Sequence, residues 1–164
     1  MDEASIRLMF HFRRGWLPAK ADTKLLILDV GAIARAASGN TYRSIFDRSF
    51  TYHGFDVGEK GPNVDVVGYD SLRQRSYDVI VDGQTLVQAP QPYKWVANLR
   101  QYLKPEGFIC LVAPHTTKSH RDSSDLFRIL PAGMKDLLVT AGFINVEVEA
   151  NDTNTLGIGR NPKP

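Results

Sequence analysis

Three carboxylates stand where a sheet would present them to a ligand. Asp29 lies at the end of the aliphatic run 25–30, Asp56 near the end of 52–57, and Asp82 directly after 77–81. An aspartate at the end of a second strand is well placed to accept both hydroxyls of a ribose. A charge-assisted hydrogen bond of this kind contributes about 1.5–3 kcal/mol, and Asp56 is the candidate for it. Gly31, following Asp29-Val30, lets the backbone turn sharply and admits a ligand close to the main chain. The same residue also suits a plain turn.

A second concentration of titratable groups lies between 115 and 128: His115, His120, Arg121, Asp122, Asp125 and Arg128. His120 is the candidate general base. Arg121 and Arg128, with His115, are candidates for binding an anionic or sugar acceptor. The same groups equally suit an exposed loop held by local ion pairs. Their spacing matches no standard metal site. The single cysteine, Cys110, falls inside an apolar run and reads as an inert small hydrophobe; alone it makes no internal disulfide.

These groups need a scaffold, and the chain supplies one in a regular rhythm. Residues 1–24 form a basic, partly amphipathic lead-in with the spacing of a short helix. Arg7, Arg13, Arg14 and Trp16 make a solvated face there, or a contact for an acidic partner. Leu25–Val30, continuous and aliphatic, suits a strand buried on both faces. Thr41–Phe50 reads as a short helix, and Tyr52–Val57, Val64–Val67 and Tyr77–Val81 as strands. Pro92–Leu103 has helical spacing, with Tyr93, Val96, Leu99 and Tyr102 on one side, and Lys104-Pro105-Glu106-Gly107 stops it. For Tyr93, Trp95 and Tyr102, core packing is the favoured reading over a substrate wall. Phe108–Ala113 is a fifth strand and Pro131–Ala141 a second clear helix. Phe143–Val148 and Thr155–Ile158 follow with only Asn151-Asp152-Thr153-Asn154 as a link near the second strand. That link is too short for a crossover helix, so the last two strands pair antiparallel. The fold class is α/β: a mostly parallel sheet with an antiparallel strand inserted at its edge and helices on its faces.

Composition agrees. The chain has 164 residues, about one domain's worth, and is 43% hydrophobic. Its 20 Lys and Arg against 18 Asp and Glu leave a formal charge of +2, too weak a bias to imply nucleic acid. No apolar run approaches the roughly 18 residues that span a bilayer. The opening Met-Asp-Glu-Ala lacks a signal-peptide pattern. A cytoplasmic setting is expected.

The ordered series of motifs carries a resemblance. Leu28-Asp29-Val30-Gly31, Ser38-Gly39-Asn40-Thr41-Tyr42-Arg43, Gly54-Phe55-Asp56 and Gly61-Pro62-Asn63-Val64-Asp65 come first. Tyr77-Asp78-Val79-Ile80, Gly83-Gln84 and Leu103-Lys104-Pro105-Glu106-Gly107-Phe108 follow, then His120-Arg121, Phe127-Arg128 and Pro131-Ala132-Gly133-Met134. Over residues 25–160 the chain resembles the class I S-adenosylmethionine-dependent methyltransferases. In particular it is similar to compact, type 11-like members associated with glycan and cell-surface polysaccharide clusters.

The resemblance implies a Rossmann-like, seven-stranded sheet whose last strand is antiparallel, formed by residues 25–164 after the 1–24 lead-in. It implies S-adenosylmethionine as cofactor and S-adenosylhomocysteine as product. Gly31 would flank the methionine part of the cofactor and Asp29 would help organise its amino group. Asp56 would hold the ribose hydroxyls, and Val57 would also contact the cofactor. Asp65 would lie near the adenine. Asp82, Gly83 and Gln84 would approach the methyl-transfer site, with Gln84 beside the reacting atoms. The acceptor would be a small molecule or glycan-linked group, methylated on oxygen or nitrogen.

Three places depart from the family pattern. The glycine-rich turn reads Ala32-Ile33-Ala34-Arg35-Ala36-Ala37, the Glu-His pair common after the fourth strand reads Val87-Gln88, and Gly68–Ser76 is short. They leave open a methyltransferase-like domain that binds cofactor or a partner without turnover. Nicotinamide chemistry is disfavoured by the absence of G-x-G-x-x-G and by the antiparallel ending. With only residues 1–24 outside the domain, the pocket is expected to be open, or closed by a second subunit or partner protein.

Overall fold

The computed structural model describes residues 3–18, 24–33, 41–46, 50–116 and 125–164. In chain order they form α1 (Glu3–Trp16), β1 (Leu26–Val30), α2 (Arg43–Phe46), β2 (Thr51–Asp56), β3 (Val66–Val67), β4 (Tyr77–Gly83), α3 (Pro92–Arg100), β5 (Leu103–Pro114), α4 (Pro131–Thr140), β6 (Ile144–Ala150) and β7 (Asn154–Arg160). The strands make one sheet in the order β3-β2-β1-β4-β5-β7-β6. Neighbours are parallel from β3 to β5, and β7 runs antiparallel to both β5 and β6. The antiparallel strand is thus inserted one place in from the edge, with β6 outermost. The short 151–153 link forces that order: β6 can reach only its own hairpin partner, and β7 then takes the free side of β5.

The aliphatic runs form the central strands because both faces of the sheet are covered. On one face Leu28, Val30, Ile80, Ile109 and Leu111 meet Val96 and Leu99 of α3 and Met134, Leu137 and Leu138 of α4. On the other, Ile27, Val79, Val81, Cys110 and Val112 meet Leu8, Met9 and Phe12 of α1 and Phe46 of α2. The lead-in helix is therefore part of the core. Among the described residues no helix is long and apolar enough to cross a membrane.

Two local expectations change. The helix beginning at Pro92 ends at Arg100, and Leu103 already starts β5, whose pairing with β4 shifts register between Tyr77 and Val79. The Lys104-Pro105-Glu106-Gly107 stretch is a distorted strand start, with Glu106 at φ 68°, rather than a helix stop followed by a turn. Tyr93 is 47% exposed. It sits in the first turn, outside the stripe that Val96 and Leu99 bury, and its hydroxyl donates to Asp136 of α4.

Candidate functional site

The sheet reverses its strand order between β1 and β4, and a cavity of about 230 Å³ opens at the carboxyl ends of the strands there. Gly31 lines it from the end of β1, and Asp56 and Val57 from the end of β2. The segment between β4 and α3 supplies Thr85, Gln88, Ala89 and Pro90, and α3 supplies Trp95. Three of the sequence-predicted cofactor residues thus share one cavity wall.

Asp56 is held by its own loop. Its Oδ1 accepts main-chain N–H bonds from Gly58 at 3.0 Å and Glu59 at 3.2 Å. Among the described residues its Oδ2 receives no hydrogen bond. Val57 beside it is 47% exposed, an apolar surface next to an oriented carboxylate.

Gly31 has φ +72°, the left-handed region that glycine enters at no steric cost. A β-carbon there would lie 2.0 Å from Thr85 Oγ1. Thr85 comes so close because its hydroxyl donates to the Val30 carbonyl at 3.2 Å. The end of β1 and the turn after β4 are thereby packed main chain to side chain.

Asp82 lies under this turn, fully buried. Its Oδ1 accepts the N–H groups of Thr85 at 2.9 Å and Leu86 at 3.3 Å, and its Oδ2 accepts the Trp95 indole N–H at 3.1 Å. Burial pushes its pKa up to about 6, against the lowering effect of these donors. The carboxylate ties together two residues that do line the cavity, Thr85 and Trp95. Gly83 precedes this turn and is covered by Tyr42. Gln84, at φ 70°, donates its N–H to Val112 O at 2.7 Å and its side-chain amide to Asn154 Oδ1 at 3.3 Å.

Asp29 and Asp65 face the α1 and α2 side of the sheet. Asp29 is 2% exposed and accepts the Tyr52 hydroxyl. Burial pushes its pKa up to about 7; the Tyr52 bond opposes this, and the Asp82 charge adds to it. Asp65 accepts the Gly54 N–H at 2.8 Å and pairs with Arg43. Against the upward push of burial, those two partners hold its pKa below the ordinary value.

In the segment after β5, His115 Nδ1 lies 3.2 Å from Thr155 Oγ1. Arg128 makes a two-pronged ion pair with Asp125, at 2.6 and 2.8 Å. His120, Arg121 and Asp122 lie outside the described residues, as does Ser38-Gly39-Asn40. Thr85, Gln88, Ala89, Pro90 and Trp95 are the cavity residues that sequence reasoning did not assign to the cofactor. Gln88 occupies the place where the family pattern carries histidine, which was the available signal. For Trp95 the signal was an indole N–H on a helix whose other face packs in the core, a donor that needs a partner when buried.

No family model matches the chain, and no curated protein matches it in sequence. Solved structures do match. The 1,6-didemethyltoxoflavin-N1-methyltransferase of Burkholderia thailandensis, with bound 1,6-didemethyltoxoflavin and S-adenosylhomocysteine, aligns at a TM-score of 0.70 and 16% identity. The alignment covers 99% of this chain and 80% of that one. The fold is that of the S-adenosylmethionine-dependent methyltransferases. Phosphoethanolamine N-methyltransferase 2 of Haemonchus contortus, in complex with S-adenosyl-L-methionine, aligns at 0.69 with 13% identity. That alignment covers 96% of this chain and 52% of the Haemonchus protein, so the chain spans about half its length. The chain bound to the methyltransferase activator Trm112 in a Haloferax volcanii complex aligns at 0.67 with 15% identity, over 98% of this chain and 90% of that one. The methyltransferase fold explains the inserted antiparallel β7 and the place of the cavity.

Proposed function

We propose that the chain binds S-adenosylmethionine in the cavity beside Asp56 and transfers its methyl group to oxygen or nitrogen of a small-molecule or glycan-linked acceptor. The observation that carries this reading is Asp56: one oxygen is fixed by two main-chain donors, and the residue lines a cavity at the sheet's switch point. A carboxylate oriented in advance holds ribose hydroxyls without a further ordering cost. Val57 offers the adenine an apolar surface, and Gly31 brings bare main chain to the cofactor. Asp29, Asp65, Asp82 and Gly83 act on the cofactor through the neighbours they hold in place.

Bound S-adenosylmethionine supplies an activated methyl: an acceptor lone pair bonds to the methyl carbon as the carbon–sulfur bond breaks, the electron pair stays on sulfur, and S-adenosylhomocysteine is left. The protein aligns acceptor and methyl in a water-poor pocket. In this reading His120 takes the proton that a hydroxyl acceptor sheds, Gln84 assists the transfer, and His115, Arg121 and Arg128 bind the acceptor. Arg128 exchanges its Asp125 partner for an anionic acceptor group. A second copy of the chain or a partner protein closes the acceptor side, as an activator joins the Haloferax chain. The acceptor is of the sugar type handled by cell-surface polysaccharide clusters, and the setting is the cytoplasm.

A second reading, cofactor binding without turnover, is favoured by one observation. Where the family pattern has Glu-His, Val87 is buried in the core and the residue lining the cavity is Gln88, which has no basic group. Calorimetric titration with S-adenosylmethionine and S-adenosylhomocysteine tests both, and no heat at millimolar cofactor rejects both. Release of S-adenosylhomocysteine over a panel of sugar and amine acceptors, abolished by His120→Ala, supports the enzyme. Binding with no turnover on any acceptor supports the binder.

A further inference from the structure

On the side of the sheet away from the cavity, two consecutive residues join four parts of the chain. Tyr42 is fully buried, and its ring lies over Gly83: a β-carbon at Gly83 would sit 2.0 Å from Tyr42 Cε2. Its hydroxyl is 2.6 Å from Ser5 Oγ of α1, which is itself fully buried. Arg43, the next residue, donates to Asp65 and, at 3.3 Å, to the Asn63 carbonyl. Its guanidinium also lies 4.6 Å from the centre of the Tyr52 ring on β2. Asp65 is tied to β2 in turn, since its side chain accepts the Gly54 N–H and its own N–H donates to Gly54 O at 2.7 Å. The Tyr52 hydroxyl completes the chain of contacts by donating to Asp29 of β1.

We infer that Tyr42 and Arg43 are positioning residues for the cofactor cavity, clamping the β2 end that carries Asp56 to the β4 end at Gly83 from the opposite face of the sheet. This rests on the reading that the cavity binds S-adenosylmethionine. The physical reason is the lever each contact applies. Asp56 is two residues from Gly54, whose N–H and carbonyl Asp65 holds, and Arg43 is what holds Asp65. Gly83 is two residues from Thr85, which lines the cavity and packs on Gly31. A guanidinium makes several directed donor bonds and lies on an aromatic face at once, which an ammonium does not reproduce. The clamp also gives α1 a role at the site: through Ser5 it backs the Tyr42 ring.

The test uses the full chain and four variants: Arg43→Gln, Arg43→Lys, Tyr42→Phe and, as a stability control in β7, Ile158→Val. Calorimetry with S-adenosylhomocysteine is run at a temperature where circular dichroism shows every variant folded. Arg43→Gln is expected to weaken binding about tenfold, the order of one lost charge-assisted hydrogen bond, and Arg43→Lys to restore only part of it. Tyr42→Phe is expected to weaken it less, and Ile158→Val to leave it unchanged. Hydrogen exchange on the free protein gives a second readout: Arg43→Gln speeds exchange at Gly54 and Asp65, and Ile158→Val does not. Affinities of Arg43→Gln and Tyr42→Phe within twofold of the parent overturn the inference. So does unchanged exchange at Gly54 and Asp65. No binding by the parent chain rejects the cofactor reading instead, and the exchange arm still decides whether the clamp holds those strand ends.

Discussion

Trp95 donates its indole N–H to the buried Asp82 carboxylate at 3.1 Å, so one wall of the cavity is bonded to the end of β4. Trp95→Phe keeps most of the apolar surface and removes that donor. The change is expected to cost about 1–3 kcal/mol, because it leaves a buried carboxylate oxygen unsatisfied. Urea denaturation of the parent and variant checks it. Cofactor binding is also expected to change the fluorescence of the parent, and Trp95→Phe to abolish the change while Trp16 remains.

Asp29 and Asp82 set a pH dependence whose sign follows from their raised pKa values, about 7 and about 6. The unfolded chain releases both protons near pH 4, whereas the folded chain keeps them longer. Folding therefore takes up protons between those values, and the contribution of these groups to stability falls as pH rises from about 4 to about 7. Asp29→Asn keeps an acceptor for the Tyr52 hydroxyl and cannot ionise. Relative to the parent it is expected to gain stability with rising pH, by up to about 4 kcal/mol above pH 7. Denaturation curves at pH 5 and pH 8 check this, and a parent–variant difference that stays constant between them contradicts the assignment.

Asp56→Asn separates holding the loop from holding a ligand. The amide oxygen still accepts the Gly58 and Glu59 N–H groups, so the melting temperature is expected to stay near that of the parent. Affinity for S-adenosylhomocysteine is expected to fall by about 1.5–3 kcal/mol, or roughly ten- to a hundredfold, with loss of the charged acceptor. Calorimetry decides it. Unchanged affinity means the ribose lies elsewhere.

Gly31→Ala meets two obstacles, a backbone at φ +72° and Thr85 Oγ1 at 2.0 Å from the new carbon. Overpacking of this kind costs about 1–3 kcal/mol before the backbone strain is added. Thermal denaturation is the measurement. Pairing the change with Thr85→Ala removes the hydroxyl and methyl contacts and is expected to recover part of the loss, the remainder coming from the residue-85 β-carbon at 2.9 Å and the strain at φ +72°.

Much of the scaffold was legible because burial imposes a local pattern. A strand covered on both faces has to be largely apolar, and 25–30, 77–81 and 108–113 are, apart from Asp29 and Asp78. The order of Gly31, Asp56 and Gly83 along the chain placed them at strand ends before any contact was known. The start of β5 was not legible, because Leu103 and the distorted 104–107 stretch take their conformation from pairing with Tyr77 and Val79 across the sheet. Tyr93 was misplaced for a related reason: helical period identifies a stripe but not how far the covering surface extends along it.

The carboxylates show most clearly where local reading stops. Asp29, Asp56 and Asp82 look alike in the sequence, each at a strand end, with Asp65 inside the run 64–67, and residue type with spacing determined only that. Tertiary structure decided their work. Side chains alternate across a strand, and the sheet has a different helix layer on each face, so Asp29 turns toward Tyr52 and is buried. Asp56, at the strand's last position, stays at the cavity. Asp82 is closed under Trp95, and Asp65 is claimed by Arg43 from twenty-two residues away. Which partner reaches a carboxylate depends on contacts between distant segments, and no local pattern encodes those distances.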